Sequence, residues 1–96
     1  KKAYSINPKE AFTSKMLGAI ELNRGNTKKA IQLLEESIGL KSDDPQALFN
    51  LSGAYGTDEQ FKKAMETAQK AYKLNPRFPG LQPWMAQLQQ IIQSRQ

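Results

Sequence analysis

A seven-residue phrase recurs near the two ends of this 96-residue chain. Residues 2–8 read KAYSINP and residues 70–76 read KAYKLNP, so five of seven residues agree at an offset of 68. Sixty-eight is twice 34, and residues 36–42, ESIGLKS, keep the same order of small and apolar positions halfway between the two copies. Periods of about 20 to 50 residues are typical of stacked repeat architectures. The sequence therefore predicts an array of 34-residue units.

Each period contains two segments in which apolar residues recur at helical spacing. No segment alternates between polar and apolar residues over a useful length, so no strand is expected. The pattern predicts an all-α chain with five helices, at residues 9–23, 27–40, 45 to about 56, from a start within 57–60 to 74, and about 81–94.

Turn and cap residues separate these segments. Gly25-Asn26 closes the first helix with a residue that tolerates positive φ. Asp44-Pro45 predicts an N-cap carboxylate followed by a proline in the first helical turn. Residues 57–60, TDEQ, have the pattern of a capping box that begins the fourth helix.

Apolar and small residues indicate how the helices pack. In the first helix the apolar residues at helical spacing are Phe12, Met16, Leu17, Ala19 and Ile20, and in the second they are Ala30, Ile31, Leu33, Leu34 and Ile38. The last helix has an apolar side that contains Trp84, which we expect to pack rather than to bind a ligand. Small residues allow close helix crossings, and we expect this role for Gly18, Ala30, Ser52, Ala64 and Ala71.

This arrangement resembles the tetratricopeptide repeat, a 34-residue helix–turn–helix unit. The unit at residues 45–78 carries the family's residues at Leu48, Leu51, Ser52, Tyr55, Ala64, Ala68, Ala71 and Pro76. The unit at residues 11–44 matches at Leu17, Gly18, Ala30, Leu34 and Ser37, but has Glu21 and Ser42 where an aromatic residue and a proline are usual.

The resemblance implies an α-solenoid of antiparallel helix pairs in a right-handed superhelix. Residues 1–8 would end a preceding repeat, and residues 79–96 would form a C-terminal capping helix. The chain begins inside a unit and without Met, so we interpret it as a piece of a longer protein.

Composition argues against catalysis and metal binding by this chain. Cys and His are both absent, which removes thiolate nucleophiles, imidazole bases and the usual zinc ligands. Adjacent carboxylates such as Asp43-Asp44 fall where helix caps belong, and no glycine-rich phosphate loop is present. We therefore expect no enzyme, no catalytic or metal-binding residue and no cofactor. A regulatory domain fused to an enzyme stays open as an alternative.

Function is expected on the concave groove that the family builds from the first helix of each unit. Aromatic, small and amide residues there would suit a peptide or helix of a partner protein, as part of a larger multiprotein assembly. The resemblance places Phe12, Lys15, Ala19, Leu22, Asn23, Gln46, Phe49, Asn50, Gly53 and Gly56 in this groove.

Other partners are weighed against this groove. A homo-oligomerising scaffold is one alternative, with self-association through residues 1–7. The net charge of +5 suggests RNA binding as a further alternative. The basic residues are scattered, however, and the repeat spacing is strictly 34 residues, so no nucleic acid is expected as a partner. A chaperone-tail clamp is also not expected, because Ala19, Gly80 and Trp84 occupy clamp positions beside Lys15 and Asn50. No apolar run is long enough to span a membrane, and the compartment stays open between cytoplasm and periplasm or membrane periphery.

Overall fold

The structure is a computed structural model that describes residues 8–95. Within that range the chain is all-α, without a strand. The predicted helices are confirmed, with bounds that differ from the predictions by a few residues at most. They are α1 (Pro8–Asn23), α2 (Thr27–Leu40), α3 (Pro45–Thr57), α4 (Phe61–Leu74) and α5 (Leu81–Ser94). Residues 1–7, which hold most of the first KAYSINP phrase and of the predicted preceding repeat, lie outside the described residues.

Each helix packs against its neighbours in sequence. The closest pairs are α1 with α2 and α3 with α4, while α2 packs on α3 and α4 packs on α5. Such a serial arrangement is that of a helical-repeat solenoid, and it gives an elongated body of 45 × 28 × 23 Å.

The backbone repeats with the 34-residue period that the sequence predicts. Gly25 has φ +88° in the turn between α1 and α2, and Glu59 has φ +62° in the turn between α3 and α4. The next residue in each turn donates its amide to a carbonyl five residues back, Asn26 to Glu21 and Gln60 to Tyr55, both at 2.8 Å. One turn geometry therefore joins the helices of both units.

The predicted capping box at residues 57–60 is wrong. Thr57 is the last residue of α3, and its hydroxyl donates to the Gly53 carbonyl at 3.0 Å. Gln60 is the N-cap of α4, without a side-chain cap hydrogen bond. Residues 58 and 59 are needed for the tight turn, so the helix starts later than a capping box at Thr57 would place it.

Small residues sit where the helices cross closely, as predicted. Ala30, Ala64 and Ala71 are fully buried. A Cβ on Gly18 would lie 2.7 Å from Leu34 Cγ, so α1 and α2 approach too closely there for any side chain. Two buried hydroxyls reinforce the pairs: Ser37 Oγ donates to the Ala11 carbonyl at 2.8 Å, and Ser52 Oγ donates to the Ala64 carbonyl at 2.6 Å.

The apolar residues of α1 are not packed in the way that their spacing suggests. Helix α1 contacts α2 through a narrow stripe that contains Ala11, Ser14 and Gly18, all buried. Most of its large apolar side chains lie outside that stripe and are between 44% and 56% exposed: Phe12, Met16, Leu17 and Ile20. Periodicity locates an apolar face but does not show whether a neighbour covers it, and α1 is the first helix described.

The last helix is fastened through its tryptophan, which packs as predicted. Leu81 and Leu88 are fully buried, and Trp84 is half-buried. The Trp84 indole N–H donates to Ser52 Oγ at 2.7 Å, so one hydroxyl links α5 with α3 and, through the Ala64 carbonyl, with α4. The opposite side of α5 carries exposed glutamines, including Gln82, Gln89 and Gln93.

Candidate functional site

The candidate site is a stripe of side chains along α1 and α3, the first helix of each unit. It consists of a set of four residues on α1 and a set of four residues on α3. Within each set the residues are spaced by four, three and four positions, which places them on one side of the helix. None of the eight residues is buried, and the second set follows the first by 34 residues. We call this surface the α1/α3 stripe: Phe12, Met16, Ala19 and Asn23 on α1, with Gln46, Asn50, Gly53 and Thr57 on α3.

The stripe is apolar on α1 and polar on α3. Phe12 and Met16 stand one helical turn apart, and Lys15 Nζ lies 5.5 Å from the centroid of the Phe12 ring. On α3, Gln46 and Asn50 present amides, and a Cβ on Gly53 would meet no atom within 4 Å. The surface thus offers two large apolar side chains beside hydrogen-bonding groups and an open position over Gly53.

Two residues expected in the groove form joints between consecutive units instead of standing free. Lys15 Nζ forms an ion pair with Asp44 Oδ2 at 2.8 Å, with both side chains less than 20% exposed. Phe49 packs on Phe78 with ring centroids 5.3 Å apart and the rings tilted by 48°. Both pairs are related by the 34-residue offset. Each one fastens the first helix of a unit to the last residue of that unit, where the chain leads into the next helix.

Asp44 also caps α3, as its position before Pro45 predicts. Its Oδ1 accepts hydrogen bonds from the amides of Gln46 at 3.1 Å and Ala47 at 3.4 Å. Burial acts to raise the pKa of the Asp44 carboxyl, but the hydrogen bonds from Lys15 and from the two backbone amides outweigh burial and hold that pKa below its usual value. The carboxylate therefore stays charged and keeps Lys15 occupied.

A second contact network connects α2 with α3. The Tyr55 hydroxyl donates to the Glu35 carboxylate, and Lys28 Nζ pairs with Asp58 Oδ2 at 3.1 Å. Burial, together with the hydrogen bond to Glu35, raises the pKa of Tyr55 to about 12. These contacts hold the two units in register.

Of the ten residues expected in the groove, six fall on the α1/α3 stripe by their spacing, and the other four have different surroundings. Leu22 is half-buried against the core. A Cβ on Gly56 would lie 2.6 Å from the Trp84 ring, so Gly56 serves the docking of α5. Met16 was expected on a packed face, and its place four residues after Phe12 is the sequence signal that could have put it in the groove. The residues that do lie on the stripe are Phe12, Ala19, Asn23, Gln46, Asn50 and Gly53.

Residues 8–95 hold no group of three or more acidic side chains arranged to bind a metal ion. None of the five helices is long and apolar enough to cross a membrane.

Residues 45–78, which span α3, α4 and the segment up to Phe78, match the family model described as Tetratricopeptide repeat. The matched range is the second unit predicted from the 34-residue period. No curated protein matches the chain. Repeats of this family generally mediate protein–protein interactions and are typically not enzymes.

Proposed function

Because residues 45–78 match the tetratricopeptide repeat family, we propose that the chain is a protein-binding module whose α1/α3 stripe holds a peptide or helix of a partner protein. The module would work as one binding surface within a larger multiprotein assembly. The family relationship supports a protein partner in general, and the side chains of the stripe support this particular surface.

The exposure of Phe12 and Met16 is the observation that carries the proposal. Both side chains are about half exposed and lie on consecutive turns of α1. Exposed apolar side chains that adjoin one another are typical of interaction sites, and anchors spaced one turn apart suit a helix or an extended segment with apolar residues. Burying them under a partner would release ordered water from both surfaces.

Polar residues of the stripe would set the position of the partner. The amides of Asn23, Gln46 and Asn50 can each donate and accept hydrogen bonds, which matches the needs of a peptide backbone. Gly53 leaves room for the partner to approach α3 closely. The eight stripe residues include no charged side chain, and Lys15 beside them is neutralised by Asp44. The partner segment is therefore expected to be mainly apolar and uncharged where it contacts the stripe.

The absence of charged side chains from the eight stripe residues argues against RNA as the ligand of the stripe. Nucleic-acid binding depends on cations that neutralise phosphates, and its affinity falls steeply with salt. The charge of +5 resides on residues outside the stripe. In an electrophoretic mobility assay, we therefore expect that the stripe residues make no contribution to any shift of single-stranded RNA.

A capture experiment with matched variants tests the proposal. Three immobilised forms would be compared: the unchanged chain, Phe12→Ser/Met16→Ser, and the control Tyr72→Ser/Leu74→Ser, which removes two exposed apolar side chains from α4. Proteins that bind the unchanged chain and the control, but are lost from the stripe variant in quantitative mass spectrometry, would support the proposal. Retention of every bound protein by the stripe variant would refute it.

A further inference from the structure

A second apolar surface lies on α1, beside the stripe. Its two large side chains, Leu17 and Ile20, are 44% and 45% exposed. Thr13 and Glu21 lie four residues before and after Leu17, which places them on the same side of the helix. We call this surface the α1 end face: Thr13, Leu17, Ile20 and Glu21.

The second unit shows what covers the same face one repeat later. The residues of α3 that lie 34 positions after the α1 end face are Ala47, Leu51, Ala54 and Tyr55. They are 0%, 5%, 0% and 7% exposed, and α2, which belongs to the preceding unit of the same chain, packs on α3. The α1 end face has no equivalent of α2 within residues 8–95. The period therefore indicates that the part of the chain before α1 covers it.

Residues 1–7 stand at the place in the 34-residue period that the end of α2 holds in the next unit. Ile38, near the end of α2, packs against the core cluster that contains Leu51. The residues 34 positions before these two are Tyr4 and Leu17. Because Tyr4 carries a large ring, it can cover more apolar surface than the isoleucine that it replaces.

The polar contact between α2 and α3 also has a counterpart before α1. Three residue pairs follow one another at offsets of 34: Lys1 with Glu21, Glu35 with Tyr55, and Gln69 with Gln89. In the second pair, the Tyr55 hydroxyl donates to the Glu35 carboxylate. In the first pair the roles are exchanged, because a lysine only donates and a carboxylate only accepts. A partner at Lys1 would account for Glu21, which stands where the family usually has an aromatic residue.

The Glu21 carboxylate has the capacity for such a partner. Its Oε1 accepts a hydrogen bond from Asn26 at 2.6 Å. A carboxylate offers about four lone-pair sites on two oxygens, so a second donor can bind without displacing the first. Glu21 is also half-buried, which favours an ion pair there over one that is fully exposed to solvent.

The segment can reach these residues although its connection is short. Helix α1 begins at Pro8, three residues earlier in its unit than α3 begins in the next. Four extended residues span about 14 Å at most, and the nine residues from Pro8 to Leu17 rise about 13 Å along the helix. Seven extended residues span about 24 Å at most, and the thirteen residues to Glu21 rise about 20 Å. A segment that runs back along α1 can therefore bring Tyr4 to Leu17 and Lys1 to Glu21.

We propose that residues 1–7 bind the α1 end face of the same chain. Tyr4 would lie against Leu17, and Lys1 would pair with Glu21. The contact would remove apolar surface of the first unit from water, as α2 does for the second unit. The stripe residues of α1 lie on a different side of the helix and stay open, so this proposal goes beyond the proposed function and does not depend on it.

NOE contacts in the unchanged chain test the docking of Tyr4 directly. The Tyr4 ring should show contacts to the methyl groups of Leu17 and Ile20 that are stronger than any to the Met16 methyl group on the stripe. In a mixture of labelled and unlabelled chains, an isotope-filtered spectrum should contain none of them, because they arise within one chain. A Tyr4 ring that contacts only its neighbours in sequence would overturn the proposal. Contacts that pass the filter would also overturn it, since they would come from a second copy.

Charge reversal tests the pairing, with an adjacent lysine as the matched control. The docking equilibrium is read from the methyl shifts of the α1 end face, which the Tyr4 ring displaces, in chains acetylated at the N-terminus to remove the α-amino charge. Lys1→Glu and Glu21→Lys should each lower the docking constant about two- to fivefold, and the double variant should restore it. Lys2→Glu should have less effect, because its counterpart Glu36 is exposed. Equal effects of Lys1→Glu and Lys2→Glu, or a double variant as weak as the single ones, would overturn the pairing.

Discussion

Lys15 Nζ lies 2.8 Å from Asp44 Oδ2 and joins α1 to the first turn of α3 across 29 residues of sequence. The equivalent position in the next unit holds an aromatic pair, Phe49 and Phe78. The two inter-unit joints therefore have the same place in the repeat and different chemistry. One of them depends on pH and the other does not.

Acid should weaken the Asp44 joint. The pKa of Asp44 is lower in the folded chain than in the unfolded one, so its contribution to stability is complete above the unfolded value of about 4. The contribution is lost as the pH falls through the folded pKa. Asp44→Ala removes both the cap and the ion pair, and should lower the free energy of unfolding at pH 7 by about 1–2 kcal/mol. Urea unfolding followed by circular dichroism at pH 7 and near pH 3 measures the difference.

The neighbouring carboxylate provides the control for this pH effect. Asp43 pairs with Lys41 on the surface and caps no helix. Asp43→Asn should therefore change stability far less than Asp44→Asn at pH 7, and Asp44→Asn should approach the unchanged chain in acid. Equal pH profiles for the unchanged chain and Asp44→Asn would contradict the assigned role.

Two glycines of α3 should respond in opposite directions to the same substitution. A Cβ on Gly56 would stand 2.6 Å from the rigid Trp84 ring, whereas one on Gly53 meets nothing within 4 Å. Gly56→Ala should destabilise the chain by about 1–3 kcal/mol through overpacking. Gly53→Ala should stabilise it by about 0.5–1 kcal/mol, because alanine loses less backbone entropy than glycine in a helix. Thermal or urea unfolding distinguishes the two, and a Gly56→Ala variant as stable as the unchanged chain would refute the assignment of the Gly56 contact.

The turns between paired helices allow a reciprocal test of backbone strain. Gly25 and Glu59 hold the same left-handed position, which costs a residue with a Cβ about 1–2 kcal/mol relative to its preferred regions. Gly25→Ala should therefore lower stability by about 1 kcal/mol, although its side chain would meet open space. Glu59→Gly should raise stability by a smaller amount, since glycine adds entropy to the unfolded chain. A stabilising Gly25→Ala would show that the two turns are not equivalent in solution.

The hydroxyl of Ser52 should couple α5 energetically to α3. It accepts the Trp84 indole N–H at 2.7 Å while donating to the Ala64 carbonyl. Ser52→Ala leaves the half-buried indole N–H without this acceptor, at a cost of about 1–3 kcal/mol, and Trp84→Phe removes the donor. In a double-mutant cycle the two changes should be non-additive by at least about 0.5 kcal/mol. Strict additivity in urea unfolding would mean that the hydrogen bond contributes nothing.

Helix number, order and bounds could be predicted from the sequence because local signals agree with the period. Gly25, Asp44 and Pro45 mark ends that the structure also has, and small residues such as Ala64 fall at the crossings. The start of α4 was misplaced because the pattern in residues 57–60 does not reveal that the same residues form the turn after α3. Local sequence cannot decide between two uses of one segment.

The candidate site could be predicted only in part, for reasons of distance and neighbourhood. Lys15 and Asp44 are far apart in sequence, so nothing local shows that this lysine is occupied. Phe12 and Phe49 are both aromatic residues on the first helix of a unit, and nothing in the local sequence shows that Phe49 packs on Phe78 in the following loop. The exposure of Met16, Leu17 and Ile20 depends on which helices lie beside α1, and apolar spacing contains no such information.

Binding of a partner peptide by the α1/α3 stripe is open to direct measurement. The most direct measurement uses a peptide selected from a displayed random library against the unchanged chain, titrated into isotopically labelled protein and followed by amide NMR. The largest shift changes should fall on α1 and α3, around Phe12, Asn50 and Gly53. Phe12→Ala should weaken binding by on the order of tenfold, while Leu74→Ala leaves it unchanged. Shift changes confined to α4 and α5, with full affinity in Phe12→Ala, would contradict the claim.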